Sequence, residues 1–437
     1  MTDIAAPSLP AFATKAEISK RLRQRHAAER RFRAYGIAAL LFGLIFLVVL
    51  FTSIIGKGWT AFLQTSVHVP VYFDPAEINP SGNPADRDEL FRADYSKLAR
   101  DALFKVLSVG ADDKKARRAA GALLSRGVDV QLRNAVLADP SLIGQTRAEW
   151  LLASDNVDAF LKGSIDRETP ADRRPLSDQQ LTWIDQLAAK DMIAKRFNTG
   201  LFVNGASSDP ETAGLGVALI GSAYMMLIVI LLSVPLGVAA AVYLEEFAPR
   251  SKGSDIIEVN INNLAAVPSI VFGLLGLAIF IGFLGLPRSA SLVGGLVLSL
   301  MTLPTIIIAT RAAIKSVPPS IREAALGVGA SKMQVITHHI VPLTVPGILT
   351  GMIIGLVRAI GETAPLLMIG MVAFVVDYPK TPLSPATALP VQIYMWATAA
   401  ERGFIERTAG ATIVLLLFLV VMNSAAVYLR QKFERKW

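Results

Sequence analysis

Cysteine is absent from this 437-residue chain, which excludes disulfide scaffolds, thiolate metal sites and cysteine nucleophiles. Histidine is scarce, with four copies. No His-Glu-x-x-His or zinc-type spacing occurs, so a zincin-like centre is excluded. Gly-x4-Gly-Lys-Ser/Thr is also missing. Lys57 and Lys252 lie beside glycines but lack the phosphate-cradling loop, so the chain does not supply its own nucleotide site. Charge is low as well: charged residues make up 18% of the chain against 53% hydrophobic, with a mean hydropathy of +0.48. That balance is too apolar for a soluble protein of this length and too charged for one buried wholly in lipid.

Segregation resolves the conflict. Apolar runs long enough to cross a bilayer as helices alternate with polar stretches. Lipid cannot hydrogen-bond the backbone, so these runs must be helical or form a closed barrel, and they are too continuous for alternating barrel strands. Six spans are expected: 35–55, 215–244 with Pro235 and Gly237 in its later half, 264–284, 292–313 containing Pro304, 348–376 and 409–429. The first run starts too late and is too long for a cleaved signal peptide. The formal net charge is +8, and its placement is the useful signal. Eight Lys/Arg lie between Lys15 and Arg33, and Arg430, Lys432, Arg435 and Lys436 follow the last run. Basic flanks stay cytoplasmic, so both termini are expected inside. That agrees with an even number of spans. The basic arm abuts a span and has no DNA-binding fold, which argues against nucleic acid as its partner.

The expected organisation follows. It runs from a basic cytoplasmic arm (1–34) and a first span (35–56) to an extracytoplasmic domain (57–214) and a five-span core (215–430). A cytoplasmic loop (316–345) lies within the core, and a tail (431–437) ends the chain. The fold class is all-α: a polytopic helix bundle with a mainly helical external domain. In that domain Tyr95–Leu107 and Asp112–Ser125 read as helices. Pro70, Pro75, Pro80 and Pro84 mark an irregular entry, and Gly205–Pro210 an exit linker.

Two motifs carry the chemistry. The first is REAALGVGASKMQVITHHIVP, from Arg322 to Pro342, which contains Glu323, Ala324, Ala325 and Gly329. Small residues let another protein approach the backbone, and Gly329 permits a turn that a residue with a Cβ resists. The second is Arg358 to Pro365 in the fifth span, with Glu362 and Thr363. Arg358 and Glu362 are four apart and share a helix face. A charge inside a span costs roughly 2.5–3.5 kcal/mol, so such residues face a bundle interior or a water-filled path. An intrahelical ion pair that holds the bundle together is one reading. The other is an anion path, in which Arg358 makes charge-assisted hydrogen bonds to an oxyanion, Glu362 keeps the anion from being held too tightly and Thr363 adds a hydroxyl. Pro268 reads as a helix kink, His338 and His339 as polar surface residues, and Glu245 and Glu246 as a solvated helix end.

The loop spacing resembles the "EAA" loop of ATP-binding-cassette (ABC) importer permeases, which docks onto a cytoplasmic ATPase. The usual Ile three residues before the Pro is His339 here, with Ile340 shifted by one. Arg-Ala-x-Gly-Glu recurs in oxyanion importer permeases. The continuation Thr-Ala-Pro-Leu-Leu is similar to the phosphate-specific PstA family, whereas molybdate or sulfate relatives more often continue Phe-Gly. Asn263–Gly273, Val234–Gly237 with Tyr243–Glu246, and Pro346–Gly351 are similar to that family too. The likeness covers the chain after about 215. Before it, the chain resembles an extended subgroup with an extra domain.

The resemblance implies a phosphate importer permease at the bacterial inner membrane, not itself an enzyme. Its implied partners are a homologous paired permease, an ATPase dimer that binds ATP and Mg, a periplasmic phosphate-binding protein and membrane lipid. Glu323, Ala324, Ala325, Gly329 and Pro342 would couple to the ATPase, and Arg358, Glu362 and Thr363 would line the substrate path. The alternatives are a permease for another oxyanion, an ion-coupled secondary transporter that uses the Arg358/Glu362 pair without ATP, and a membrane sensor.

Overall fold

The computed structural model describes residues 15–82, 86–249 and 251–433. The start of the basic arm (1–14), Pro84, Arg435 and Lys436 lie outside them. The chain divides into two units at Gly56. In the first, the arm and the first span are one helix that begins at Lys15 and continues to Gly58. The sequence explains the continuity: residues 15–35 are rich in Ala, Glu, Lys and Arg and contain neither Gly nor Pro, and these are good helix formers. No Asp, Glu, Lys or Arg occurs from Ala34 to Gly56, and the apolar part reaches a mean hydropathy of 2.8.

The second unit starts with a segment the sequence reading did not foresee. Residues Leu63–Tyr72 form a strand, β1, and Val67, Val69 and Val71 alternate into the core at 0% exposure. β-branched residues at period two suit a half-buried strand. β1 is the middle of a three-stranded antiparallel sheet, between β2 (Thr146–Leu152) and β3 (Ile193–Phe197). β3 pairs only with Leu63–Val67, so beyond Val67 the strand has one neighbour, and Pro70 is tolerated there. The expected irregular entry is thus a strand only as far as Tyr72. Pro75 then opens a short helix behind the Asp74 cap.

Helices Tyr95–Val106, Lys114–Gly121, Val128–Ala138 and Asp178–Ala189 cover the sheet. They close one core that includes Tyr95, Leu103, Leu132, Leu151 and Ile184. Each start has a local reason. Asp94 and Asp113 accept from the Lys97 and Ala116 amides, and Ser177 and Gln180 form a capping box.

The apolar part is a helix bundle. Among the described residues, five helices are long and apolar enough to cross a membrane, or six if one bent pair counts as a single span. That pair is the third span. Lys252–Ala265 turns by 101° into Ser269–Phe283, so the kink expected at Pro268 is a sharp break, and the bent pair starts well before the expected 264–284. Pro268 stands in extended conformation at the break. It cannot donate to the preceding turn, and its ring disfavours a helical residue before it. The fifth span also departs from the expected 348–376. Its helical run begins at Lys332 and ends at Gly361. Pro365 would need to donate to the carbonyl of Gly361 for the helix to continue, and it has no N–H. A short helix, Ala364–Met368, follows. Farther on, Leu389–Ala397 is a largely buried helix inside the stretch between the expected fifth and sixth spans.

The fourth span, Ser291–Lys315, is the spine. Helices gain no hydrophobic drive for association within lipid, so close backbone approach and interhelical hydrogen bonds must hold them together. Both occur here. Gly294 and Gly295 sit under Met225 and Ile228 of the second span, Gly216–Val242, and Ser233 Oγ lies 2.9 Å from Thr302 Oγ1. On the other side, a Cβ on Gly347 or Gly351 of the fifth span would fall 2.4 Å from the Cβ of Ala313 or Ala309. At Gly355 the added atom meets Thr302 and Ile306 at 3.7 Å, an ordinary contact. Gly351→Leu should therefore destabilise the bundle by about 1–3 kcal/mol through overpacking, while Gly355→Ala is expected to be near neutral. Thermal loss of the monodisperse species in size-exclusion chromatography would report the difference.

Candidate functional site

The sequence motif from Arg322 to Pro342 folds as helix, turn and helix. Pro318 and Pro319 open the helix Pro319–Gly327, where proline suits the first helical position. Glu323 and Ala324 are exposed, and Ala325 is buried. Ala325 seats the helix on a core that includes Ile314, Val317, Val335, Ile336 and Ile340. Gly329 adopts φ +89°, the left-handed region that ends many helices and favours glycine. Its amide donates to Leu326 O at 2.9 Å, and the Ala330 amide donates to Ala325 O at 3.1 Å. Ser331 and Gln334 then cap the next helix reciprocally. A π-helical stretch, Val335–Ile340, leads into the fifth span, with Pro342 in its first turn. Around the Gly329 turn three apolar side chains face outward: Leu326, Met333 and Val328, the last 86% exposed. Such a cluster marks an interaction surface. His338 and His339 are exposed beside it.

The second motif is brought together differently from the sequence reading. Arg358 Nε and Glu362 Oε1 lie 3.8 Å apart, but Glu362 is not within the helix. It is the residue after the last turn and is extended at φ −83°, ψ 116°. The pair therefore closes the broken end of the fifth span. Thr363 follows at the start of the short helix, and Gly361 between them has open space where a Cβ would be. Arg358 is exposed and has no other polar partner among the described residues. Its remaining N–H donors are free to meet an anion.

A charge network at the ends of the second and fourth spans escaped the sequence reading, which took Glu245 and Glu246 for a solvated end. Both are largely buried, at 13% and 12% side-chain exposure, and both are paired. They occupy a π turn, Tyr243–Phe247, at the end of the second span. Arg311, on the fourth span, donates from Nε to Glu245 at 2.5 Å and from Nη2 to Glu258 at 2.7 Å. Arg322 donates from Nε and Nη2 to Glu246 at 3.1 and 2.8 Å. A signal for this was present in the sequence. Arg311 falls inside a predicted span, and a charge there needs a partner. Two carboxylates at the end of another span were the available candidates.

A second buried network joins the polar segment to the start of the last span. Lys162 Nζ, 3% exposed, bridges Asp158 at 2.6 Å and Glu406 at 2.8 Å. Asp158 also accepts from the Thr65 amide at 2.9 Å. Arg407 donates to Glu211 O at 3.4 Å. Beside it, burial pushes the Asp155 carboxyl up to about 6, helped by the negative charges of Glu211 and Asp158. Glu211 is raised too, again chiefly by burial. An adjacent cleft of about 1370 Å³ is lined by eight Lys/Arg and six Asp/Glu, so its charges nearly balance and it does not select strongly for an anion. No group of three or more metal-ligating side chains occurs among the described residues.

Comparison with known proteins decides the family. Residues 233–436 match the model of the binding-protein-dependent transport system inner membrane component, and residues 19–171 match a domain of unknown function, DUF3333. The probable ABC transporter permease protein YqgI of Bacillus subtilis is 32% identical over 244 residues, covering 52% of this chain and 82% of that protein. The chain belongs to this family of transport components. Two further relatives are phosphate transport system permease proteins. PstA 1 of Mycobacterium tuberculosis (strain CDC 1551 / Oshkosh) is 33% identical, over 51% of this chain and 72% of its own length. PstA of Xylella fastidiosa (strain Temecula1 / ATCC 700964) is 32% identical, over 51% and 77%. Among solved structures, the inward-facing MetNI methionine ABC transporter aligns with 51% of this chain and 95% of its own at 16% identity, with a TM-score of 0.41. The chain is thus a multi-pass inner-membrane permease component and not the ATPase of such a system.

The raised Asp155 carboxyl carries a pH signature. A carboxyl with a folded pKa of about 6 against an ordinary value of 3.8 binds more protons in the native state. Stability therefore falls as pH rises through that window. Asp155→Asn should stabilise the full chain by about 1–3 kcal/mol near neutral pH and lose that advantage toward pH ~4. Thermal unfolding in detergent across this range would measure it.

Proposed function

We propose that this chain is the permease subunit of an ATP-driven phosphate importer. The observation that carries the reading is the Arg358–Glu362 pair at the broken end of the fifth span. The phosphate-permease names of the relatives support it. Arg358 offers a phosphate oxyanion charge-assisted donors, Thr363 offers a hydroxyl, and Glu362 competes for the same guanidinium. The anion then meets a site that binds and releases, as conduction requires. The pair is open on this chain, and the face of a homologous paired permease would complete the path.

Energy enters from partner ATPase subunits that bind ATP and Mg. They dock on the exposed Glu323–Gly329 helix and turn, where Leu326, Val328 and Met333 offer the apolar contact, while Pro342 anchors the helix that follows. The topology consistent with this keeps both termini and the docking loop in the cytoplasm and places 57–214 outside, where a periplasmic phosphate-binding protein delivers the anion. A permease for sulfate or molybdate would share most of this geometry, and competition for uptake among phosphate, arsenate, sulfate and molybdate separates the possibilities.

Arg358→Gln should abolish uptake in proteoliposomes while the complex still purifies intact; normal uptake by a well-expressed variant would remove Arg358 from the path. Gly329→Val forces a β-branched residue into φ +89°, a conformation such residues resist. Its expected result is ATP hydrolysis that no longer rises with the binding protein, measured as phosphate release with and without it.

A further inference from the structure

Arg322 immediately precedes Glu323-Ala324-Ala325, yet it does not face outward with them. Its guanidinium makes four hydrogen bonds to three acceptors. Nε and Nη2 hold Glu246 at the end of the second span. Nη1 donates to Val317 O at 2.8 Å and Nη2 to Ile314 O at 3.1 Å. Ile314 is in the last turn of the fourth span, and Val317 lies just beyond it. Ile314 O also accepts the Val317 amide at 3.2 Å, but its usual helical donor four residues on is Pro318, which has no N–H; a fixed cation there adds the missing donor and complements the negative end of the helix. One side chain thereby fastens the docking helix to two spans.

Arg311 continues the linkage. It lies on the fourth span and reaches Glu245, next to Glu246 on the second span, and Glu258 on the helix that leads into the bent third span. Lys315 Nζ adds a longer contact to Glu245 at 3.4 Å. A planar guanidinium with several donors in fixed directions suits such a junction, whereas an ammonium on a flexible stem would not set the angle between the helices.

We infer that Arg322, through Glu246 and backed by Arg311 with Glu245 and Glu258, is the positioning residue that converts movement of the docking helix into movement of the second, third and fourth spans. The inference deepens the importer reading and rests on it. Interfaces of this kind switch between discrete packings and do not stretch, so a rigid ionic junction passes on a displacement that a greasy contact would absorb. Arg322 touches neither the ATPase-facing surface nor the anion. Its loss should leave both binding events in place and separate them.

The test uses the whole transporter, with its ATPase and binding protein, in proteoliposomes. Three quantities are measured: ATP hydrolysis, anion uptake per ATP, and thermal stability. For Arg322→Gln the expected result is intact assembly, retained basal hydrolysis and uptake per ATP lowered on the order of tenfold. The variant also leaves the largely buried Glu246 without its cation, which by itself destabilises. Arg322→Gln/Glu246→Gln removes that uncompensated charge and should recover thermal stability while uptake per ATP stays low. Recovery of coupling together with stability in the double variant would overturn the inference, because Arg322 would then be a structural filler. Wild-type coupling in Arg322→Gln would overturn it directly. Absence of binding-protein-stimulated hydrolysis in the wild-type complex would sink the importer reading itself, and the inference with it.

Discussion

The fourth span is the constraint on which the rest of the core depends. It packs against the second span through Gly294 and Gly295, and against the fifth through Ala309 and Ala313, which face Gly347 and Gly351. In lipid there is little gain in hiding a leucine from its surroundings, so helices hold each other where backbones come close and where polar side chains meet. The Ser233–Thr302 contact and the Arg311 junction are the polar half of that arrangement. A bulky side chain at one of the tight crossings would separate the helices and pull the charged junction at their ends out of register.

The two charge clusters have different roles. The one at the ends of the second and fourth spans lies beside the helix Pro319–Gly327 and is built from guanidinium forks with their carboxylates in hydrogen-bonding range. The one around Lys162, Asp158, Glu406 and Arg407 ties the segment with the three-stranded sheet to the start of the last span. Both bury charge, and buried pairs seldom add much net stability over an apolar contact of equal shape. Their contribution is directional: each fixes an angle between elements that apolar packing alone would leave free to slide.

Much of the apolar architecture was legible locally. Run length and charge-free composition placed the spans, terminal Lys/Arg suggested the sidedness used in the proposal, and the spacing of Glu323, Ala325 and Gly329 marked a helix and a glycine turn. Where the sequence reading failed, a proline or a long-range pair had intervened. Pro365 broke a span that hydropathy alone had joined, because hydropathy is blind to a missing amide, and the bend at Pro268 is far sharper than a kink. The sheet was missed because β1 carries a proline and its partners lie about 80 and 130 residues away, distances over which local pattern carries no pairing information. Glu245 and Glu246 were misread because two adjacent carboxylates at a helix end look like a hydrated cap until their cations are known.

The sequence by itself determined that this is a helical membrane protein without a nucleotide loop of its own, with a polar domain after the first span, an alanine-bearing helix and glycine turn, and an arginine–glutamate pair four residues apart. These depend on composition and on neighbours within a turn or two of helix. Only the tertiary structure decided that the Arg358–Glu362 pair closes a broken helix end, that Arg322 turns inward to Glu246, and that Arg311 joins Glu245 and Glu258. The ion pairs of Arg311 and Arg322 span 53 to 76 residues, and only the packing of the helices brings such groups within hydrogen-bonding distance.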